Sequence, residues 1–134
     1  MEKRFELSAS SEVLSPFRKD LRQILSQAAW GKKTTEEILL AVDEALTNII
    51  RHAYQGKQGK MMVSIAVDDE KAEIVIEDQG KKFDPTQVPS PELPRHRPGG
   101  LGVHFIRTIM DQMIYDDQFT AGNRLRLIKY KPSI

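Results

Sequence analysis

The sequence predicts an α+β layer sandwich, a sheet with its helices on one face. Three observations carry this. An alternating apolar run opens the chain, two runs of helical period follow it, and two later pairs of strand-like runs flank a glycine-opened helix. With 134 residues, 40% of them hydrophobic, the chain is sized for a single domain, 1–134, around one core.

Phe5, Leu7 and Ala9 alternate with Arg4, Glu6 and Ser8, the period-two pattern of a half-buried strand at or near a sheet edge. From Glu12 the period lengthens: Val13, Phe17, Leu21, Leu25 and Ala28 recur at helical spacing, and Trp30-Gly31 stops the run. Thr34 or Thr35 is expected to cap a second helix that ends near Tyr54. Glu36 and Glu37 would then lie in its first turn, where the helix dipole favours negative charge. Beyond the loop Gln55 to Lys60, the runs Met61 to Val67 and Ala72 to Asp78 predict a hairpin around the turn Asp68-Asp69-Glu70-Lys71. The next 20 residues, Gln79 to Pro98, hold five prolines and little periodicity, which marks a lid or binding loop. Gly99-Gly100-Leu101-Gly102 then opens a helix carrying Val103, Ile106, Ile109 and Met110, and two strand-like runs lie around Ala121-Gly122-Asn123.

Composition narrows the function classes. Twenty Lys+Arg against nineteen Asp+Glu leave a net charge of +1, so no long-range field points to nucleic acid or an anionic membrane as partner. The absence of cysteine removes disulfides, thiolate zinc sites and thiol nucleophiles, and fits a reducing compartment, so cytoplasm is the expected location. The opening MEKRFELSAS has no apolar signal-peptide region, and no stretch approaches the ~20 apolar residues of a membrane span, so neither export nor membrane insertion is expected.

Three clusters could carry chemistry. Glu44, Asn48 and His52 sit at i, i+4 and i+8 on the second helix, at the margin of the apolar set Ile38, Leu39, Val42, Leu46, Ile49, Ile50 and Ala53. A carboxylate and an amide there face a groove, although an ordinary amphipathic helix gives the same pattern. At the end of the β-branched run, Asp78-Gln79-Gly80 offers a carboxylate able to accept a hydrogen bond from an exocyclic amino group such as adenine's. The glycine leaves room for a flat ligand, and a plain turn after a strand would look alike. Gly99-Gly100-Leu101-Gly102 at a helix start lets backbone N–H groups close on a phosphate, with Arg95, His96 and Arg97 adding cationic donors; a glycine-rich linker is the plainer alternative. This run fits neither GxxxxGK[ST] nor a strand-following GxGxxG, so P-loop and Rossmann readings fail.

In order, Glu44-Ala45-Leu46-Thr47-Asn48 with His52-Ala53, Asp78-Gln79-Gly80 with Phe83-Asp84-Pro85, Gly99-Gly100-Leu101-Gly102, and Gly122-Asn123-Arg124-Leu125 resemble the motif boxes of the Bergerat ATP-binding fold. They look most like its short branch, the anti-sigma-factor serine kinases, over roughly residues 37–129. The resemblance implies a two-layer α/β sandwich of the histidine-kinase-like ATPase type with a mixed sheet. It implies ATP and Mg²⁺ as cofactors, Asn48 as the Mg²⁺ ligand, Asp78 and Gly80 at the adenine, and Glu44 as general base. Gly100, Leu101 and Gly102 would close on the phosphates, residues 79–98 would form the ATP lid, and Asn123, where a Thr is frequent, would be a nucleotide contact. Lys81-Lys82 depart from the small or apolar residue that often precedes Phe-Asp-Pro.

The implied function is transfer of the ATP γ-phosphate to a Ser or Thr of an anti-anti-sigma-like protein, with a sigma factor as second partner and a homodimer as the working form. Two alternatives stand beside it: a nucleotide-dependent partner-binding module without transfer, and the catalytic domain of a histidine kinase. The last needs a histidine-bearing helix pair, and the first helix here is short and holds no histidine. His52 and His104 read as packing or surface residues.

Overall fold

In the computed structural model, residues 1–87 and 101–132 are described. The strand β1 (Glu2–Ser8) leads through a 3₁₀ turn, Ser11–Val13, into α1 (Leu14–Gln27) and α2 (Lys32–Asn48), which continues as a π-helical turn, Ile49–Ala53. The hairpin β2 (Lys60–Val67) and β3 (Lys71–Asp78) follows, then a 3₁₀ turn Pro85–Gln87, α3 (Leu101–Ile109), β4 (Gln112–Tyr115) and β5 (Asn123–Tyr130).

The strands form one sheet in the order β1-β2-β3-β5-β4. Every ladder is antiparallel, which corrects the expected mixed sheet. Connection length explains it. The helix pair α1–α2 goes out and comes back, returning the chain to the end where β1 finished, so β2 must run against β1. The single helix α3 makes β4 run in the direction of β3, but β5 inserts between them, so the codirectional strands never touch.

One face of the sheet is apolar. Met61, Val63, Ile65 and Val67 of β2, Ala72, Ile74 and Ile76 of β3, and Leu125 and Leu127 of β5 alternate into the core. Against them lie Phe17, Leu21 and Leu25 of α1, Ile38, Val42 and Leu46 of α2, and Ile106 of α3. Each large apolar side chain buried this way contributes roughly 1.5–3 kcal/mol. β1 is an edge strand, as its half-buried pattern predicts.

The threonine cap is corrected as well. α2 starts at Lys32 behind Gly31, and Thr35 is buried, its Oγ1 without a partner among the described residues and its N–H donating to the Gly31 carbonyl. The cause lies just upstream. Trp30 is anchored by its indole N–H to the Asp68 carbonyl, and positive φ at Ala29 and Gly31 turns the chain at once. The helix therefore begins before the threonine pair, and Glu36 and Glu37 fall beyond its first turn.

Candidate functional site

The alternation of β3 carries the site. Ile74, Ile76 and then Asp78 point into the core, so the Asp78 carboxylate is only 2% exposed. A buried carboxylate needs hydrogen-bond partners. Asp78 Oδ1 has two, the Gly80 N–H at 2.8 Å and the Asn123 Nδ2 at 2.9 Å. Its Oδ2 is buried with no partner among the described residues. Burial pushes the Asp78 carboxyl above the usual carboxylate range, opposed by the Asn123 and Gly80 bonds and by the charge of Lys82.

The turn after Asp78 is strapped to the end of α2. The π-helical turn leaves the Ala53 carbonyl without an intrahelical partner, and the Lys81 N–H fills it at 2.8 Å. Tyr54 O–H donates to the Lys60 carbonyl at 2.6 Å and accepts from the Gln79 N–H at 2.8 Å. The His52 ring stacks on Phe83 with centroids 4.6 Å apart, the packing role read for it from the sequence. Partial burial, with Arg51 nearby, lowers the His52 pKa. A Cβ on Gly80 would sit 2.6 Å from the Ala53 carbonyl oxygen, so the space the sequence reading gave to a ligand is taken by backbone.

The Asn123 carboxamide is bonded within the protein on every side. Its Nδ2 donates to Asp78 Oδ1 and to the Lys81 carbonyl, both at 2.9 Å. Its Oδ1 accepts from the Phe83 N–H at 2.9 Å and from the Tyr115 O–H at 2.6 Å. A carboxamide has two hydrogens and two lone pairs, and all four are occupied by the protein.

Asn48, Asp78, Phe83, Ile106, Tyr115 and Asn123 line one cleft. Asn48 brings a second buried atom, its Nδ2, with no partner among the described residues. Glu44 lies half-buried one helical turn back, outside the cleft lining, its carboxylate without an ion pair or hydrogen bond to another described residue. Leu101 and Gly102 begin α3, whose Ile106 reaches the cleft. Gly99, Gly100, Arg95, His96 and Arg97 lie outside the described residues. His104 sits on α3 beside the Phe105 ring, outside the cleft lining.

Three contributors escape the sequence reading. Tyr54 and Tyr115 are named above, and Arg107 on α3 donates to the carbonyls of Pro85 and Thr86, at 3.3 and 2.5 Å, tying the 3₁₀ turn to the helix. Inward alternation with Met113 was a usable signal for Tyr115. Arg107 gave none, since it hydrogen-bonds across a loop.

Residues 7–129 match the family described as the histidine kinase-like ATPase domain. The serine-protein kinase RsbW of Staphylococcus epidermidis is 33% identical over 135 aligned residues, 92% of this chain and 83% of the relative. RsbW of Listeria innocua is 32% identical over 124, covering 84% and 78%. The chain belongs to the RsbW family of serine-protein kinases, within the histidine kinase-like ATPases. A crystal structure of the RsbU and RsbW domains of a Mycobacterium tuberculosis protein shares the fold, with a TM-score of 0.69 at 16% identity over 99% of this chain and 34% of that one. Membership in this family implies use of ATP. Among the described residues no helix is long and apolar enough to cross a membrane.

Proposed function

We propose that this protein transfers the γ-phosphate of Mg-ATP to a Ser or Thr of an anti-anti-sigma-like antagonist, and that a sigma factor is the partner it holds in its other state. The observation that carries this is the buried, unpartnered Oδ2 of Asp78 in a cleft shared with Asn48. An acceptor left unmade in the core is destabilising by about 1–3 kcal/mol unless a ligand completes it, and adenine's amino group is a donor of the right kind. Two RsbW relatives named as serine-protein kinases, each more than 30% identical, support the reaction class.

The residues divide the work. Asp78 accepts from the adenine amino group, with Gly80 shaping the turn beside it. Asn48 would hold the Mg²⁺. When bound, Mg²⁺ supplies neutralisation of phosphate charge. Gly100, Leu101 and Gly102 would offer backbone N–H groups to the phosphates, and residues 79–98 would act as the lid, whose part at 79–87 is tied down by the strap and by Arg107. Glu44 takes the proton of the attacking hydroxyl, whose oxygen bonds to phosphorus as ADP leaves. The working form is a cytoplasmic homodimer.

Because Glu44 stands outside the cleft lining, a second reading stays in play: ATP sets a conformation that grips a partner without transfer. Two measurements decide between them. ATP binding with and without Mg²⁺ is expected to lose its Mg²⁺ dependence in Asn48→Ala. Transfer of label from γ-labelled ATP to an anti-anti-sigma-like protein is expected to fall by about a hundredfold or more in Glu44→Ala, with ATP affinity kept. Nucleotide-dependent partner binding with no transfer by the wild type supports the second reading; absence of ATP binding sinks both.

A further inference from the structure

Asp78 and Asn123 are direct partners in the β3–β5 ladder, so the site's carboxylate and its amide face each other across the sheet. An amide beside a carboxylate has a favourable and an unfavourable orientation. With Nδ2 toward Asp78 it donates; turned over, it sets one acceptor against another. Two donors fix the choice. The Phe83 N–H at 2.9 Å and the Tyr115 O–H at 2.6 Å both point at Asn123 Oδ1, which leaves Nδ2 for Asp78.

The consequence reaches the carboxylate. The Asn123 and Gly80 donors both occupy Oδ1, and that leaves Oδ2 as the one unengaged acceptor. A threonine, with a single hydroxyl hydrogen, cannot donate to both Asp78 and Lys81 as Asn123 does. Tyr115 comes from the short strand β4, where it pairs with Leu125, two residues along β5 from Asn123. Side chains of three strands are therefore linked in one hydrogen-bonded series, Tyr115 to Asn123 to Asp78.

We propose that Asn123 and Tyr115 are a positioning pair that sets the base selectivity of the site by presenting Asp78 Oδ2 to the adenine amino group, without either touching the base. The inference rests on the assignment of Asp78 to that amino group. The Asn123 bond also favours the ionised form of Asp78, opposing the effect of burial on that carboxyl.

The test compares the affinity of the full chain for ATP and for purine riboside triphosphate, which lacks the amino group, in the wild type, Asp78→Asn, Asn123→Ala and Tyr115→Phe. The wild type is expected to prefer ATP, and Asp78→Asn to lose that preference. Asn123→Ala is expected to narrow it about tenfold and Tyr115→Phe about threefold, with binding of the analogue little changed. A purely structural role would weaken both ligands alike. If the wild type shows no preference, or Asp78→Asn retains it, the assignment of Asp78 fails and the positioning pair falls with it. If those two behave as expected but Asn123→Ala and Tyr115→Phe keep the full preference, the positioning role alone is overturned. Should Asn123→Ala not fold, Tyr115→Phe, which removes one hydroxyl, decides.

Discussion

Two aspartates bracket β3 and make the same kind of bond with opposite consequences. Asp68 Oδ1 accepts from the N–H groups of Glu70 and Lys71, at 2.7 and 2.9 Å, and Asp78 Oδ1 accepts from the Gly80 N–H at 2.8 Å. Each is the side-chain-to-backbone bond that makes aspartate a turn residue. Yet the backbone bonds to Lys71 and Glu70 hold the Asp68 carboxyl below its ordinary pKa, whereas burial drives that of Asp78 above it. The difference is register. Asp68 lies in the open turn before the strand, and Asp78 continues the inward series of Ile74 and Ile76. Turn chemistry alone therefore cannot mark a site; turn chemistry at a buried strand position can.

The sharpest way to break this comparison is to neutralise each carboxylate in turn. Asp78→Asn is expected to weaken ATP binding about a hundredfold, the loss of a hydrogen bond to a charged acceptor, while Asp68→Asn leaves it unchanged; titration calorimetry reads both. Equal losses would mean that burial does not distinguish the two. Two glycines give the next largest contrast. Gly80→Ala places a Cβ 2.6 Å from the Ala53 carbonyl oxygen, where backbone meets backbone, and is expected to cost about 3 kcal/mol in urea unfolding and to weaken ATP binding through the displaced strap. Gly56→Ala, at φ +80° with open space around it, is expected to cost about 1 kcal/mol and leave binding intact.

Much of the fold was legible because it is local. Period-two runs gave β1, β2 and β3, helical spacing gave α1, α2 and α3, and Asp68-Asp69-Glu70 gave the hairpin. The site was half legible. Residue type and spacing single out Asp78 and Asn48 as candidates, and the structure brings both to one cleft. What failed was long-range. No local pattern says that β5 inserts beside β3, and only that insertion puts Asn123 against Asp78, 45 residues away, and so uses up its amide inside the protein. The π-helical turn is equally silent in sequence. It is fixed by tertiary bonds, the Ala53 carbonyl to Lys81 and the Tyr54 hydroxyl to Gln79.

The smallest expected effect is also the most direct statement of the contrast, because it reads the two carboxylates without any ligand. A carboxyl whose pKa is raised on folding binds its proton more tightly in the folded chain. The contribution of Asp78 is therefore favourable below the ordinary carboxylate pKa near ~3.9 and is lost as pH rises through the raised value. Asp68, lowered on folding, behaves oppositely: its contribution is present above the ordinary pKa and disappears as pH falls through the lowered value. Thermal unfolding of the nucleotide-free protein from about pH 3 to about pH 8 should then show two crossing trends. The melting temperature of the wild type relative to Asp78→Asn declines with rising pH, and relative to Asp68→Asn it increases. The Asp68 trend is the shallower, since that carboxylate is exposed and water competes for its bonds. Trends of the same sign would show that register does not separate the two, and the case for Asp78 as a buried acceptor kept open for a ligand would lose its physical basis.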